Sequence, residues 1–177
     1  MATNYLPLQK LDCATRRTKG LHGAFASATD MRNRFFEKPT EDNIKEIGAY
    51  FCLRDVVIAV DTNDLMEVMT NAENTIVLTG KATGSNRCGD AIEDAVLHTC
   101  SVAERYDLFS AEKVLLFIVS PKSNPMLMSE NEAISTFMEL FPKNTEWRWG
   151  LAEKDDVNDM KIVIVASNLQ KRTAFLQ

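Results

Sequence analysis

Apolar residues along this chain alternate between helical and strand spacing. Between residues 40 and 53, Ile44, Ile47 and Phe51 recur at helical intervals, with Tyr50 beside them. Thr40 suits the cap of this helix, and Glu41 and Asp42 put negative charge at its positive end. Pro39 disfavours helical geometry at Lys38, so the helix starts after it; a short helix is expected at 29–37. Residues 56–60, VVIAV, are almost all β-branched, which predicts a strand buried on both faces. Helical spacing returns over 61–70, with Leu65, Val68 and Met69 inward and Asp61, Thr62 and Asn63 as candidate caps. A strand at 75–79 precedes a long amphipathic helix from Ser85 to about Glu104, its inner stripe carrying Cys88, Ile92, Ala95, Val96 and Val102.

The third strand falls at 114–119. Ser129 and Glu132 form a capping-box pattern opening a helix with Ile134, Phe137, Met138 and Phe141 on one face, which Pro142 ends. Residues 145–149 alternate, placing Trp147 and Trp149 on one side, and 161–166 form the last strand. These two strands are expected to pair as a hairpin across the acidic turn 155–159. The order predicts an α/β fold, an α+β two-layer sandwich with a mixed sheet of four to five strands. The organisation expected is a little-patterned arm over 1–40, a domain over 41–170 and a tail over 171–177.

Composition narrows the function classes. The 177 residues are 45% hydrophobic and 25% charged, with a net charge of −5, which disfavours a nucleic-acid groove. The densest basic stretch, Arg16-Arg17-Thr18-Lys19, is too short for such a site and reads as a solvated loop. No apolar run reaches the roughly 18 residues of a membrane span, and the first residues lack the layout of a signal peptide, so a cytoplasmic protein is expected. Cys13, Cys52, Cys88 and Cys100 lie far apart and are expected as reduced thiols. His22 and His98 give no metal-ligand spacing and no nucleophile partner, and no metal or cofactor is expected.

Two places carry candidate chemistry. Asp61 and Asp64 stand three apart where the apolar run meets a helix; they suit either helix capping or a general acid/base pair. Gly80, Lys81, Gly84 and Ser85 bracket a strand-to-helix turn that suits either a tight structural turn or an anion-binding one. Neither a Walker loop nor a dinucleotide fingerprint is present. Trp147 and Trp149 read as sheet-face residues, while Met126 and Met128 suit either a covered sheet edge or a partner surface.

These segments resemble, over about 44–169, the C-terminal domain of the bacterial tubulin homologue FtsZ. That family's synergy loop has the form Asn-x-Asp-x-x-Asp; here the run is Ala59-Val60-Asp61-Thr62-Asn63-Asp64, with both aspartates kept and Ala59 in place of the asparagine. Its Gly-x-Ala-x-Gly-x-x-Arg turn matches Gly80-Lys81-Ala82-Thr83-Gly84-Ser85-Asn86-Arg87. Asn131-Glu132-Ala133, Trp149-Gly150 with the acidic turn, and the run from Ile162 to Leu169 are similar to its later segments. Ser120-Pro121 stands where the family usually has Gly-Gly.

The resemblance implies that Asp61 and Asp64 reach a nucleotide held by a neighbouring subunit and orient the water that attacks it, positioning being most of the chemistry of phosphoryl transfer. No Gly-rich GGGTGTG-like signature occurs among the seven glycines. The expectation is a non-enzymatic module that binds or caps FtsZ-type filaments through the Asp61/Asp64 loop. The alternative is a structural domain that associates with itself, as a homo-oligomer, or with another protein. No nucleic acid and no membrane is expected as a partner.

Overall fold

The computed structural model describes residues 31–51 and 56–173. Cys13, Cys52, His22 and the basic stretch 16–19 lie outside the described residues, as do the ends of the expected arm and tail.

A six-stranded mixed sheet organises the domain in the order β1-β3-β7-β5-β6-β2. The strands are β1 (Arg34–Glu37), β2 (Val56–Ile58), β3 (Asn74–Ala82), β5 (Lys113–Pro121), β6 (Glu146–Lys154) and β7 (Met160–Ser167). A separate two-stranded sheet pairs β4 (Tyr106–Asp107) with β8 (Gln170–Lys171). The mixed α/β class agrees with the sequence pattern, and the sheet is larger than four or five strands. Its first strand lies at Arg34–Glu37, where a short helix was expected, and pairs antiparallel with β3. Phe35 and Phe36 point to opposite faces there, and each packs against a different core.

Helices cover both faces. On one, α3 (Arg87–Leu97) and α5 (Asn131–Met138) bury Ile92, Val96, Ile134 and Phe137 against Leu78, Leu116, Ile118 and Ile164. On the other, α1 (Glu41–Gly48) and α2 (Thr62–Met69) bury Ile44, Ile47, Leu65 and Met69 against Val77, Leu115, Phe117 and Val165. Alternate residues of β3, β5 and β7 thus feed two cores, and the sandwich has three layers rather than the two expected, because helices cover both faces of the sheet.

β5 is buried at eight successive positions, Val114 through Pro121, and takes the inner place between β6 and β7. β6 runs parallel to it and β7 antiparallel. The expected hairpin of β6 with β7 is therefore absent: the most apolar strand separates two strands that are neighbours in sequence. β2 reverses another expectation. It is a three-residue edge strand paired, among the described residues, with β6 alone, and Val56 and Val57 are exposed, Val57 at 57%. β-branched composition here reflects extended backbone rather than burial.

The long helix expected from Ser85 is shorter and divided. α3 begins after Asn86, ends at Leu97, and is followed past His98 by a single turn, α4 (Thr99–Val102). Ser129 does not cap α5, whose first turn follows a 3-10 turn over Met128–Glu130 with no side-chain cap. Cys88 is free and buried as expected, whereas Cys100 is disulfide-bonded rather than reduced.

Candidate functional site: the carboxylate loop at the start of α2

The chain leaves edge strand β2, passes close over β6 and turns into α2. Gly150 makes that crossing feasible, because a Cβ there would stand 2.5 Å from Val60 Cγ2 and 2.9 Å from Ile58 O. Val60 is buried, so the next residue emerges at the surface with its position fixed.

Asp61 is the N-cap of α2. Its Oδ1 accepts from the backbone N–H of Asn63 (2.7 Å) and of Asp64 (3.1 Å). Asp64 Oδ2 accepts from the Asp61 N–H at 3.0 Å, so the two residues form a reciprocal capping box. This satisfies donors that any helix start leaves open and places both charges at the positive helix end. Sequence spacing allowed caps at three residues; the geometry selects Asp61 and recruits Asp64. Asp61 Oδ2 makes no hydrogen bond among the described residues, and Asp61 is exposed.

Arg148, on β6, completes the group. Its Nη2 donates to Glu67 Oε2 at 2.7 Å, and its Nε lies 3.6 Å from Asp64 Oδ1. The Arg148 pKa is raised, chiefly by the hydrogen bond to Glu67 and its charge and, less, by Asp64. Sequence reading passed over Arg148 and Glu67. The signal was present in the alternation of β6, where Trp147 and Trp149 face one core and Arg148 must face the helices on the other side. Glu67, Val68, Lys113, Glu146 and Arg148 line a shallow groove beside it.

The Gly80–Ser85 stretch is built differently. Gly80 is in β3 under α3, where a Cβ would lie 2.1 Å from Ala91 O and 2.4 Å from Ala95 N. It is a helix–sheet contact point. The Lys81 N–H donates to Asp94 Oδ2 at 3.0 Å, and its side chain is exposed. Gly84 takes the positive φ of the turn, +94°, and Ser85 is exposed beside it. The structure thus distributes these four residues between a packed strand and an open turn.

Arg87, which ends the same motif, is buried. Nε and Nη2 donate to the two oxygens of Glu130 at 2.8 and 2.9 Å, Nη1 to Asn124 O at 2.7 Å, and Nη2 also to Pro125 O at 2.8 Å. Glu130 Oε2 further accepts from the Leu127 N–H at 2.7 Å. These bonds pin the loop between β5 and α5. They hold the Glu130 carboxyl below the usual carboxylate range and raise the Arg87 pKa, in both cases first through their mutual hydrogen bonds. Next to them, burial pushes the Cys88 thiol up to about 12.

Trp147 lies edge-on to Phe141 (4.9 Å) and Phe137 (5.9 Å), so it packs an aromatic cluster. Met128 is 85% exposed and Leu127 is exposed beside it, while Met126 packs on the core. Among the described residues no group of three or more His, Cys, Asp or Glu could hold a metal, and no helix is long and apolar enough to cross a membrane.

The class defined by these elements is a mixed α/β domain with an exposed carboxylate loop between an edge strand and a helix. That fold is found in FtsZ. The chain is similar to an empty FtsZ dimer from M. jannaschii, with a TM-score of 0.57, 19% identity, and coverage of 73% of this chain and 40% of that one. A mutant of the same FtsZ gives a TM-score of 0.57 at 20% identity, covering 72% and 38%. A GTPγS-form protofilament of Bacillus thuringiensis serovar israelensis TubZ gives 0.50 at 11% identity, covering 64% and 29%. At these identities the likeness shows the fold, and the chain spans about 40% of the length of the FtsZ it matches. No protein-family model and no curated protein matches the sequence.

Proposed function

We propose that this chain is an FtsZ-like interaction module that docks the Asp61/Asp64 loop on the nucleotide-bearing face of an FtsZ-type subunit and caps or tunes its filaments, with no catalysis of its own. The observation that carries the reading is the capping box: it holds two carboxylates at a fixed, exposed helix start, where the resemblance puts the family's synergy loop. Assembly of related folds supports it, since the TubZ structure is of a protofilament and one FtsZ structure of a dimer. Ala59 in place of the family's asparagine argues for docking over full activation of hydrolysis. Co-sedimentation and GTPase assays with the FtsZ-type protein of the same organism test it. The expected result is a change in filament mass or turnover that Asp61→Ala with Asp64→Ala abolishes. No binding and no change in either quantity overturns it.

A second reading has its own observation. β2 is an edge strand with one side unpaired among the described residues, and it exposes Val56 and Val57. Open edges of that kind pair with other chains, so the domain would self-associate there. Light scattering over a concentration range separates the two: a homo-oligomer lost on Val57→Lys favours this reading.

A further inference from the structure

We infer that the two aspartates have separate jobs: Asp61 alone is the contact carboxylate, and Arg148 acts as a positioning residue that commits Asp64 to the fold. The inference rests on the docking reading for what Asp61 contacts, but the division of labour is a property of the free protein.

Three observations carry it. Asp64 uses Oδ2 to close the capping box on the Asp61 N–H, and its Oδ1 faces Arg148 Nε at 3.6 Å. Both of its oxygens therefore face groups of the protein. Asp61 uses Oδ1 for two backbone donors and leaves Oδ2 outward. Arg148 is itself held, by its 2.7 Å bond to Glu67 Oε2, one turn further along the same helix. A guanidinium bridging residues 64 and 67 ties the exposed flank of α2 to β6, and fixes the helix start that aims Asp61.

The exposures agree with this order. The side chain of Asp64 is 29% exposed, less than that of Arg148 at 39% or Glu67 at 61%. Arg148 is shared between Asp64 and Glu67, so the loop stays negative, and a group docking there meets Asp61 Oδ2, which makes no hydrogen bond among the described residues. Its chemistry is that of a hydrogen-bond donor rather than of a cation chelated by two carboxylates.

Carboxyl labelling with a carbodiimide and glycine ethyl ester, read by mass spectrometry, measures each aspartate in the free protein. Asp61 is expected to label severalfold faster than Asp64, and Arg148→Gln to raise the Asp64 rate while leaving Asp61 unchanged. Equal rates in the unmodified chain, or an Asp64 rate indifferent to Arg148→Gln, overturn the division. The second arm uses the FtsZ-type protein of the same organism. Asparagine caps a helix about as well as aspartate, so Asp61→Asn removes the charge and keeps the cap. It should weaken co-sedimentation about tenfold, the worth of one charged hydrogen bond, and Asp64→Asn should weaken it severalfold less. Equal losses from the two substitutions overturn the assignment. If the unmodified protein does not bind at all, the docking reading falls, and the labelling still decides whether Asp64 is held by Arg148.

Discussion

Two arginine–carboxylate groups in this domain differ in almost everything but their atoms. Arg87 is buried and Glu130 half-buried, with side chains 5% and 10% exposed, and they share two hydrogen bonds. Arg87 also satisfies two loop carbonyls. Arg148 lies at the surface with Glu67 and Asp64, makes one short bond, and approaches the second carboxylate at 3.6 Å. The first group holds the fold together, because each partner left alone would be an uncompensated buried charge. The second costs little to lose and so is free to serve an exposed loop. The motif ending in Arg87 is therefore a structural brace, and the loop holding Asp61 is where contact chemistry has room.

The largest effect expected from this difference is that of Arg87→Ala. It strands the Glu130 carboxylate and two carbonyls, and should cost about 3–5 kcal/mol in urea unfolding. Replacing both partners, Arg87→Met with Glu130→Leu, removes the stranded charge and should recover much of that loss, apart from the carbonyls. If the single substitution is as mild as a surface one, the contrast between the regions collapses. Gly80→Ala comes next. The added methyl meets backbone atoms of α3, which cannot swing away like a side chain, so α3 must lift from β3. About 2–3 kcal/mol of destabilisation is expected by the same measurement, with little change in the Asp61 labelling rate, since α2 lies on the opposite face.

The buried pair also sets a pH dependence. The Glu130 pKa is lowered in the folded state, first by the Arg87 hydrogen bonds, while a free glutamate titrates near about 4.3. A depressed folded value means that this contribution is complete above the unfolded pKa and is lost as the pH falls through the folded one. Stability followed by circular dichroism should therefore decline below about pH 4.3, and Glu130→Gln should flatten part of that decline. An unchanged acid profile would mean that other carboxylates carry it.

Helix and strand positions were legible in the sequence wherever one face was apolar. Ile44, Ile47, Leu65, Val68, Ile134 and Phe137 are all buried as their spacing implies. What periodicity cannot report is who neighbours whom. β5 inserts between β6 and β7 because its burial demands an inner position, and β2 sits at the edge despite its valines. The candidate site was half legible. Asp61 and Asp64 announced a helix start through local spacing, and their hydrogen bonds are local, within three residues. Arg148 is 84 positions from Asp64 in the chain, and Glu130 is 43 from Arg87; only the sheet order brings those charges together.

The smallest effect is the most discriminating. Arg148→Gln should cost only about 0.2–1 kcal/mol, because exposed ion pairs are screened by water and hold long side chains at an entropic cost. Glu67→Gln should cost the same or less, its side chain being 61% exposed. At about 1 M salt, where the screening length falls to about 3 Å, the difference from the unmodified protein should vanish, whereas the deficit of Arg87→Ala should persist because its pair is shielded from solvent. Parallel urea titrations of the two arginine variants at low and high salt make this comparison. A salt-independent loss at Arg148 would mean that it is built into the fold as firmly as Arg87. The loop it braces would then be part of the scaffold rather than an exposed contact site supported from behind.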